Sequence, residues 1–186
     1  MKISLKSQWI SLFYRAATGT KSIRTLLTPL GAGFFILFIV VLVLVSIHLD
    51  RWMGLPKLLP RPWHLLFSMP PAGIGFFMVG WSVQHFIKAK GTPVPFNPPP
   101  RLVQSGPYAF TRNPMLTGVF FLLFSLGFCM ASISMVFFFT PLFIGINFWE
   151  LKSIEEPELE KRLGETYRIY KRKTPMFIPR LRGRAD

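Results

Sequence analysis

The chain has 186 residues, is 51% hydrophobic with a mean hydropathy of +0.40, and carries a formal net charge of +14. Charged side chains are missing from several long blocks instead of being spread evenly, which is a membrane composition and excludes an ordinary soluble domain. The basic excess is collected between the apolar blocks, so it reads as a signal of membrane orientation and not as a nucleic-acid footprint.

Residues 1–28 hold Lys2, Lys6, Arg15, Lys21 and Arg24 without an acid, mixed with Trp9, Ile10, Leu12 and Phe13. Such a segment suits either an interfacial helix or a solvated basic tail. The first apolar block, residues 30–49, lacks Asp, Glu, Lys and Arg; at about 1.5 Å per helical residue it spans roughly 30 Å, the thickness of a hydrocarbon core. It starts too late and runs too long for a cleavable signal peptide, and none is expected.

The second block, residues 64–87, has Pro70 and Pro71 near its start. They are tolerated in a first turn, and a kink is expected there if the helix begins earlier. The third and fourth blocks, residues 115–130 and 133–149, are separated only by a short turn around Ala131 and Ser132, so an antiparallel hairpin is expected. Pro141 should kink the fourth and free the carbonyl of Phe137. Lone Cys129 excludes an intrachain disulfide and reads as a buried packing residue.

The fold expected is therefore all-α: a polytopic membrane protein with four transmembrane helices plus a C-terminal amphipathic helix over residues 157–172. Leu159, Leu163, Tyr167 and Tyr170 share one side of that helix, and Glu158, Glu160 and Glu165 read as its solvated face. The organisation expected is a basic segment 1–28, two anchoring helices within 30–87, and a functional region 88–186. Basic residues between and after the spans place both termini and the long central loop on the cytoplasmic side.

The central loop is the most informative stretch. Gly91 to Pro100 is too rich in proline for a helix and reads as an extended, stiff loop. Asn113 and Pro114 alone are ordinary helix-start chemistry, a favoured N-cap and a favoured first residue. Gly106, Pro107, Tyr108, Arg112 and Gly118 around the same helix start make an anion site, combining amides, the positive dipole end and a guanidinium. Glu150, Glu155 and Glu156 follow the last span, where acids point to a cationic ligand or an internal Arg partner. His48, His64 and His85 show no metal-ligand spacing, and no metal is expected.

These residues, taken in order, resemble the isoprenylcysteine carboxyl methyltransferase and phospholipid methyltransferase superfamily of integral membrane enzymes. The resemblance covers residues 91–180. It rests on Gly91, Pro98, Leu102, Val103, Gly106, Pro107, Tyr108, Arg112, Asn113, Pro114, Met115 and Gly118, then Glu155, Glu156, Leu159, Leu163, Gly164, Tyr167, Tyr170, Phe177 and Pro179. It implies methyl transfer from S-adenosylmethionine to a lipophilic or membrane-soluble acceptor: an isoprenylcysteine-like carboxylate, a phospholipid amine or a small thiol. Cofactor contacts are implied at Gln104, Gly106, Tyr108, Arg112, Asn113, Pro114, Gly118, Glu155, Glu156 and Tyr167, with Arg112 and Glu156 catalytic. Asn113, Leu116 and Met176 stand where many members have His, Tyr and a basic residue.

The residues suit such a cofactor. S-adenosylmethionine carries a sulfonium and an ammonium against one carboxylate, and the chain offers acids and an anion site at one membrane face. Arg112 and the amides opening the third span are expected to hold the carboxylate, and Glu155 or Glu156 the ammonium or the acceptor. Glu156 is the candidate base if the acceptor is an amine. The competing readings are an NADPH-dependent membrane sterol or steroid reductase and a non-catalytic membrane transport or assembly factor. Partners implied are a lipid or lipidated acceptor and membrane lipids, with no nucleic acid and no obligate protein partner. A bacterial inner membrane is the location favoured by the compact chain.

Overall fold

The computed structural model describes residues 5–89, 99 and 101–178. The expected proline-rich loop lies outside these residues apart from Pro99, as does Pro179 of the tail pattern. Among the described residues the fold is all helical, and each of the four apolar blocks forms a helix. The helices are α1 (Leu5–Thr18), α2 (Lys21–Trp52), α3 (Trp63–Lys88), α4 (Pro114–Cys129), α5 (Met135–Leu163) and α6 (Glu165–Lys173), with a 3₁₀ turn at Gly106–Ala109. Three of them, α2, α3 and α5, are long and apolar enough to cross a bilayer. The fourth apolar helix, α4, has 16 residues and is about 24 Å long. The protein is an integral membrane protein.

Helix α3 begins ahead of its prolines, so Pro70 and Pro71 lie inside it. They deprive the carbonyls of Leu66 and Phe67 of intrahelical partners, and one residue further on Ser125 of α4 donates to the Ser68 carbonyl at 2.8 Å. The two helices come close because both present glycine at the crossing. A Cβ on Gly75 would lie 2.8 Å from the Gly118 carbonyl oxygen, and one on Gly118 would lie 2.9 Å from that of Gly75.

The hairpin turn between α4 and α5 is a Schellman motif. Ala131 takes a left-handed φ of 51°, Ser132 N–H donates to the Gly127 carbonyl at 2.9 Å, and Ala131 N–H to that of Phe128 at 2.8 Å. Asp50, at the end of α2, clamps the turn by accepting from the Ser132 hydroxyl at 2.5 Å and the Ser134 amide at 3.1 Å. Cys129, expected to be buried, is exposed. It is the last residue of α4, where the chain leaves the packed interior for the turn.

Helix α5 differs most from expectation. It does not stop near residue 149: it continues to Leu163 and contains two π segments, Met135–Phe139 and Leu151–Glu155. Each ends two residues before a proline, Pro141 and Pro157. In a π turn the amide reaches back five residues, as Thr140 does to Met135 and Glu156 to Leu151. The widened turn moves aside the carbonyl against which the proline ring would otherwise press. The adjustment expected at Pro141 thus takes the form of a π turn, and Pro157 sits within a continuous helix. The expected amphipathic helix over 157–172 is instead split at Gly164, whose φ of 60° ends α5, and α6 follows. Glu158, expected on a solvated face, is buried and bound to Arg162 at 2.8 Å, because this part of α5 turns toward the interior.

The apolar core lies between α2, α4 and α5 and gathers Leu42, Phe120, Leu123, Met135, Phe139 and Phe143. Phe143 is fully buried, with its ring 5.9 Å from those of Phe35 and Phe38 and 6.0 Å from Phe120. The glycine crossing of α3 on α4 should be intolerant of bulk. Gly118→Val is expected to cost about 1–3 kcal/mol of stability, measured as a lowered melting temperature in detergent. Gly73→Ala, where an added methyl meets nothing within 4 Å, should not lower it, since alanine favours the helix over glycine.

Candidate functional site

A cavity of about 770 Å³ opens between the first half of α2, the end of α3, the start of α4, the second half of α5 and α6. Its apolar wall comes from α2, where Gly31, Phe35 and Phe38 face it, and its floor is Phe143. Its polar wall comes from the segment before α4 and from α5 and α6. Phe34 and Ile36 line the cavity and are also exposed on the outer surface of α2, so the apolar wall is continuous with the lipid-facing side.

The polar wall is organised around Glu156, which is buried. Its two oxygens face two cations, Arg112 Nη2 on Oε1 at 2.8 Å and Lys171 Nζ on Oε2 at 2.8 Å. The first is a charge contact without hydrogen-bond geometry, since Glu156 Oε1 accepts no hydrogen bond. Lys171 also reaches Glu160 at 2.9 Å. Arg112 Nη1 donates to the Lys171 carbonyl at 3.2 Å, while the buried Arg112 Nε has no partner among the described residues. Arg112 and Glu156, expected to meet separate charges of a ligand, therefore pair with each other, as opposite charges removed from water do.

The residues before α4 are held in place by the chain after α6. The amide of Arg112 donates to the Pro175 carbonyl at 2.9 Å and that of Asn113 to Met176 at 3.2 Å. The Thr111 hydroxyl also donates to Met176, at 2.7 Å. Asn113 occupies the N-cap position of α4, but its side chain makes no capping bond; its amide group instead donates to the Met176 carbonyl at 3.4 Å. Tyr170 of α6 adds a hydroxyl bond to the Tyr108 carbonyl at 2.7 Å. Burial raises the phenols of Tyr108, Tyr167 and Tyr170 above the usual tyrosine range, so all three remain neutral donors at working pH.

Of the residues implied by resemblance, Tyr108, Arg112, Asn113, Glu155, Glu156 and Tyr167 line the cavity. Gln104 is exposed and outside it. Gly106 has a φ of 61° and lies under the His85 imidazole, where any Cβ would collide. Pro114 is buried in the first turn of α4, and Gly118 is consumed by the crossing with α3. The cavity also takes in Arg101, Asn147, Glu150, Glu158, Arg162 and Tyr170, which the implied set leaves out. Glu150 and Glu155 stand five residues apart, a spacing that an α-helix rotates onto different faces. The π turn between them returns them to one face. A proline two residues after an acid, with a second acid five residues before the first, was the available signal.

With Arg112 committed to Glu156 and Arg162 to Glu158, the cavity side chains making no ion pair among the described residues are Arg101, Glu150 and Glu155. Fold and site together define a helical integral membrane protein whose polar cavity opens to both solvent-side charges and a lipid-facing wall. The family model for phospholipid methyltransferase matches residues 63–166, more than half of the chain, and the protein belongs to that family. The match takes in α3, and membership points to methyl transfer onto a lipid-type acceptor. Searches of curated proteins and of solved structures gave no match.

The Lys171 ammonium gives a pH test of this wall. Burial works against it, but its bonds to Glu156 and Glu160 prevail and raise its pKa above the ordinary 10.5. A raised value means the contribution is complete below 10.5 and is lost as pH rises through the higher folded value. The melting-temperature difference between wild type and Lys171→Met should stay constant from neutrality to about pH 10 and shrink above the unfolded lysine value of about 10.4.

Proposed function

We propose that the chain transfers a methyl group from S-adenosylmethionine to the amino headgroup of a membrane phospholipid. The observation that carries this reading is the set of cavity charges left after internal pairing: Arg101 on one hand, Glu150 and Glu155 on the other. One positive and two acidic groups complement a ligand with one carboxylate, one ammonium and one sulfonium. The buried, unpartnered Nε–H of Arg112 adds a donor suited to the carboxylate. Members of this family generally use this cofactor.

When bound, S-adenosylmethionine supplies a methyl group on a positively charged sulfur. The chain's own task is alignment, and orientation contributes about 7–11 kcal/mol in favourable cases. In this reading Arg101 and Arg112 hold the carboxylate, and Glu150 and Glu155 divide the remaining work. One faces the ammonium, and the other takes the proton that an amine must lose before it is nucleophilic. Glu156, bound on both oxygens, is a positioning residue that fixes Arg112 and Lys171. The buried tyrosines exclude water, and Tyr108 and Tyr167 offer hydroxyl donors, that of Tyr170 being taken by the Tyr108 carbonyl.

The acceptor approaches along α2, where Phe34 and Ile36 connect the cavity to the lipid-facing surface. That path favours a lipid amine over a small thiol. A nicotinamide dinucleotide would bring its phosphates against Glu150, Glu155, Glu156 and Glu158, which argues against the reductase reading. The basic segments at both termini support placing the cavity on the cytoplasmic side.

Titration of the detergent-solubilised chain by calorimetry tests the cofactor assignment. S-adenosylmethionine should bind, and one of Glu150→Gln and Glu155→Gln should weaken it about tenfold, or 1.4 kcal/mol, while the other retains binding and loses turnover. Binding of NADPH in place of S-adenosylmethionine would sink the reading.

A further inference from the structure

At the opposite end of α2, α3 and α4 lies a second cavity, of about 150 Å³. Helix α4 runs from Met115 on the large cavity to Cys129 on the small one, a rise of about 21 Å. Lys57 and Arg61 from the loop between α2 and α3, and His64 from the first turn of α3, line it.

The charge here is one-sided. Neither Lys57 nor Arg61 belongs to an ion pair among the described residues. Asp50, the one acid before Glu150 in the chain, has both carboxylate oxygens committed to Ser132 and Ser134. His64 is 9% exposed, and its Nδ1 is buried without a hydrogen-bond partner, a position that costs free energy unless something meets it. The positive dipole end of the 26-residue α3 opens at the same place, although the amides of His64 and Leu65 already donate to the Pro60 and Pro62 carbonyls. Two cations, an unsatisfied imidazole and a helix N-terminus around one cavity define a site for an anion.

Its depth says which anion. Trp52 and Trp63, at the two ends of the connecting loop, are 78% and 51% exposed. Indole rings so placed settle at the headgroup level of a bilayer. Basic residues that face a membrane on this end, in excess over the single acid Asp50, match the phosphates found at that level. Leu59, Cys129, Met130 and Ala131 complete the lining with a largely apolar surface, and the volume admits a phosphate group while leaving any acyl chains outside on the apolar helix surfaces.

We propose that this cavity binds a phosphate group at the membrane face remote from the methyl-transfer cavity, with Lys57 and Arg61 neutralising it and a ring N–H of His64 donating to it. The phosphate belongs to a lipid headgroup or to free inorganic phosphate, and one experiment separates these. Cys129 is the single cysteine of the chain, is exposed, and lines the cavity, so its rate of modification by N-ethylmaleimide reports occupancy.

The full chain in non-ionic detergent is titrated with short-chain phosphatidylglycerol, with inorganic phosphate, and with diacylglycerol of the same chain length, and modification is followed by intact mass. Phosphatidylglycerol should slow the reaction about fivefold at a concentration about four times its Kd, and diacylglycerol should leave it unchanged. Protection by the lipid but not by phosphate assigns the headgroup; protection by phosphate as well assigns the phosphate group alone. Lys57→Gln combined with Arg61→Gln, both exposed positions, should abolish protection while circular dichroism and melting temperature are retained. The proposal is overturned if neither phosphate compound slows the reaction, if diacylglycerol protects equally, or if the double variant is protected like the wild type.

Discussion

The polar half of this protein depends on one carboxylate. Glu156 lies buried near the end of α5 with Arg112 on one oxygen and Lys171 on the other. Those two cations come from the segment before α4 and from α6, so a single side chain joins three parts of the chain. Removing a charge from water is costly, and a buried pair is favourable only when geometry is good and the remaining donors are occupied. Glu160 gives Lys171 a second acceptor and the Lys171 carbonyl takes one donor of Arg112, while the buried Nε–H of Arg112 has no partner among the described residues. Backbone bonds from Arg112 and Asn113 to Pro175 and Met176 then fix the same corner. The cavity has a rigid polar wall because its most expensive charges are used to build the wall, leaving Arg101, Glu150 and Glu155 for a ligand.

The apolar half serves that wall through α5, which belongs to both. Near its start, Phe139 and Phe143 pack in the core with Leu42 and Phe120; near its end it presents Glu150, Glu155 and Glu156 to the cavity. Its prolines do not break it, because a π turn precedes each one. The second turn has a chemical consequence, for it brings Glu150 and Glu155 to one face. A backbone adjustment required by Pro157 thereby sets the spacing of two carboxyl groups at the membrane boundary.

Much of the fold was legible because length and charge are sufficient to mark a membrane helix: the empty stretch 30–49 could hardly be anything else. The corner around Arg112 was legible because a guanidinium, prolines and glycines at a helix start have few other uses, and the acids after the last span stood out against an otherwise almost acid-free chain. What stayed hidden has physical reasons. Gly118 reads equally as room for a ligand or for a neighbouring helix, and only the position of Gly75 decides between them. The role of Met176 is carried by its backbone carbonyl, so its replacement of a basic residue leaves that contact intact and no side-chain pattern reveals it. Helix α5 looks like two elements in the sequence because proline normally ends a helix, and the only trace of each π turn is the proline two residues beyond it. Glu158 looks like a solvated acid because a carboxylate on an amphipathic helix normally faces water, and only its burial against Arg162 shows otherwise.

The central claim is that this cavity joins a charged methyl donor to a lipid amine at the membrane surface. It is tested most directly by reconstituting the full chain in vesicles of phosphatidylethanolamine, adding S-adenosylmethionine labelled in its methyl group, and extracting the lipids. The account predicts label in N-methylated phosphatidylethanolamine, lost when Glu150 and Glu155 are both replaced by Gln. Absence of labelled phospholipid from vesicles in which the folded wild-type chain binds the donor would contradict it.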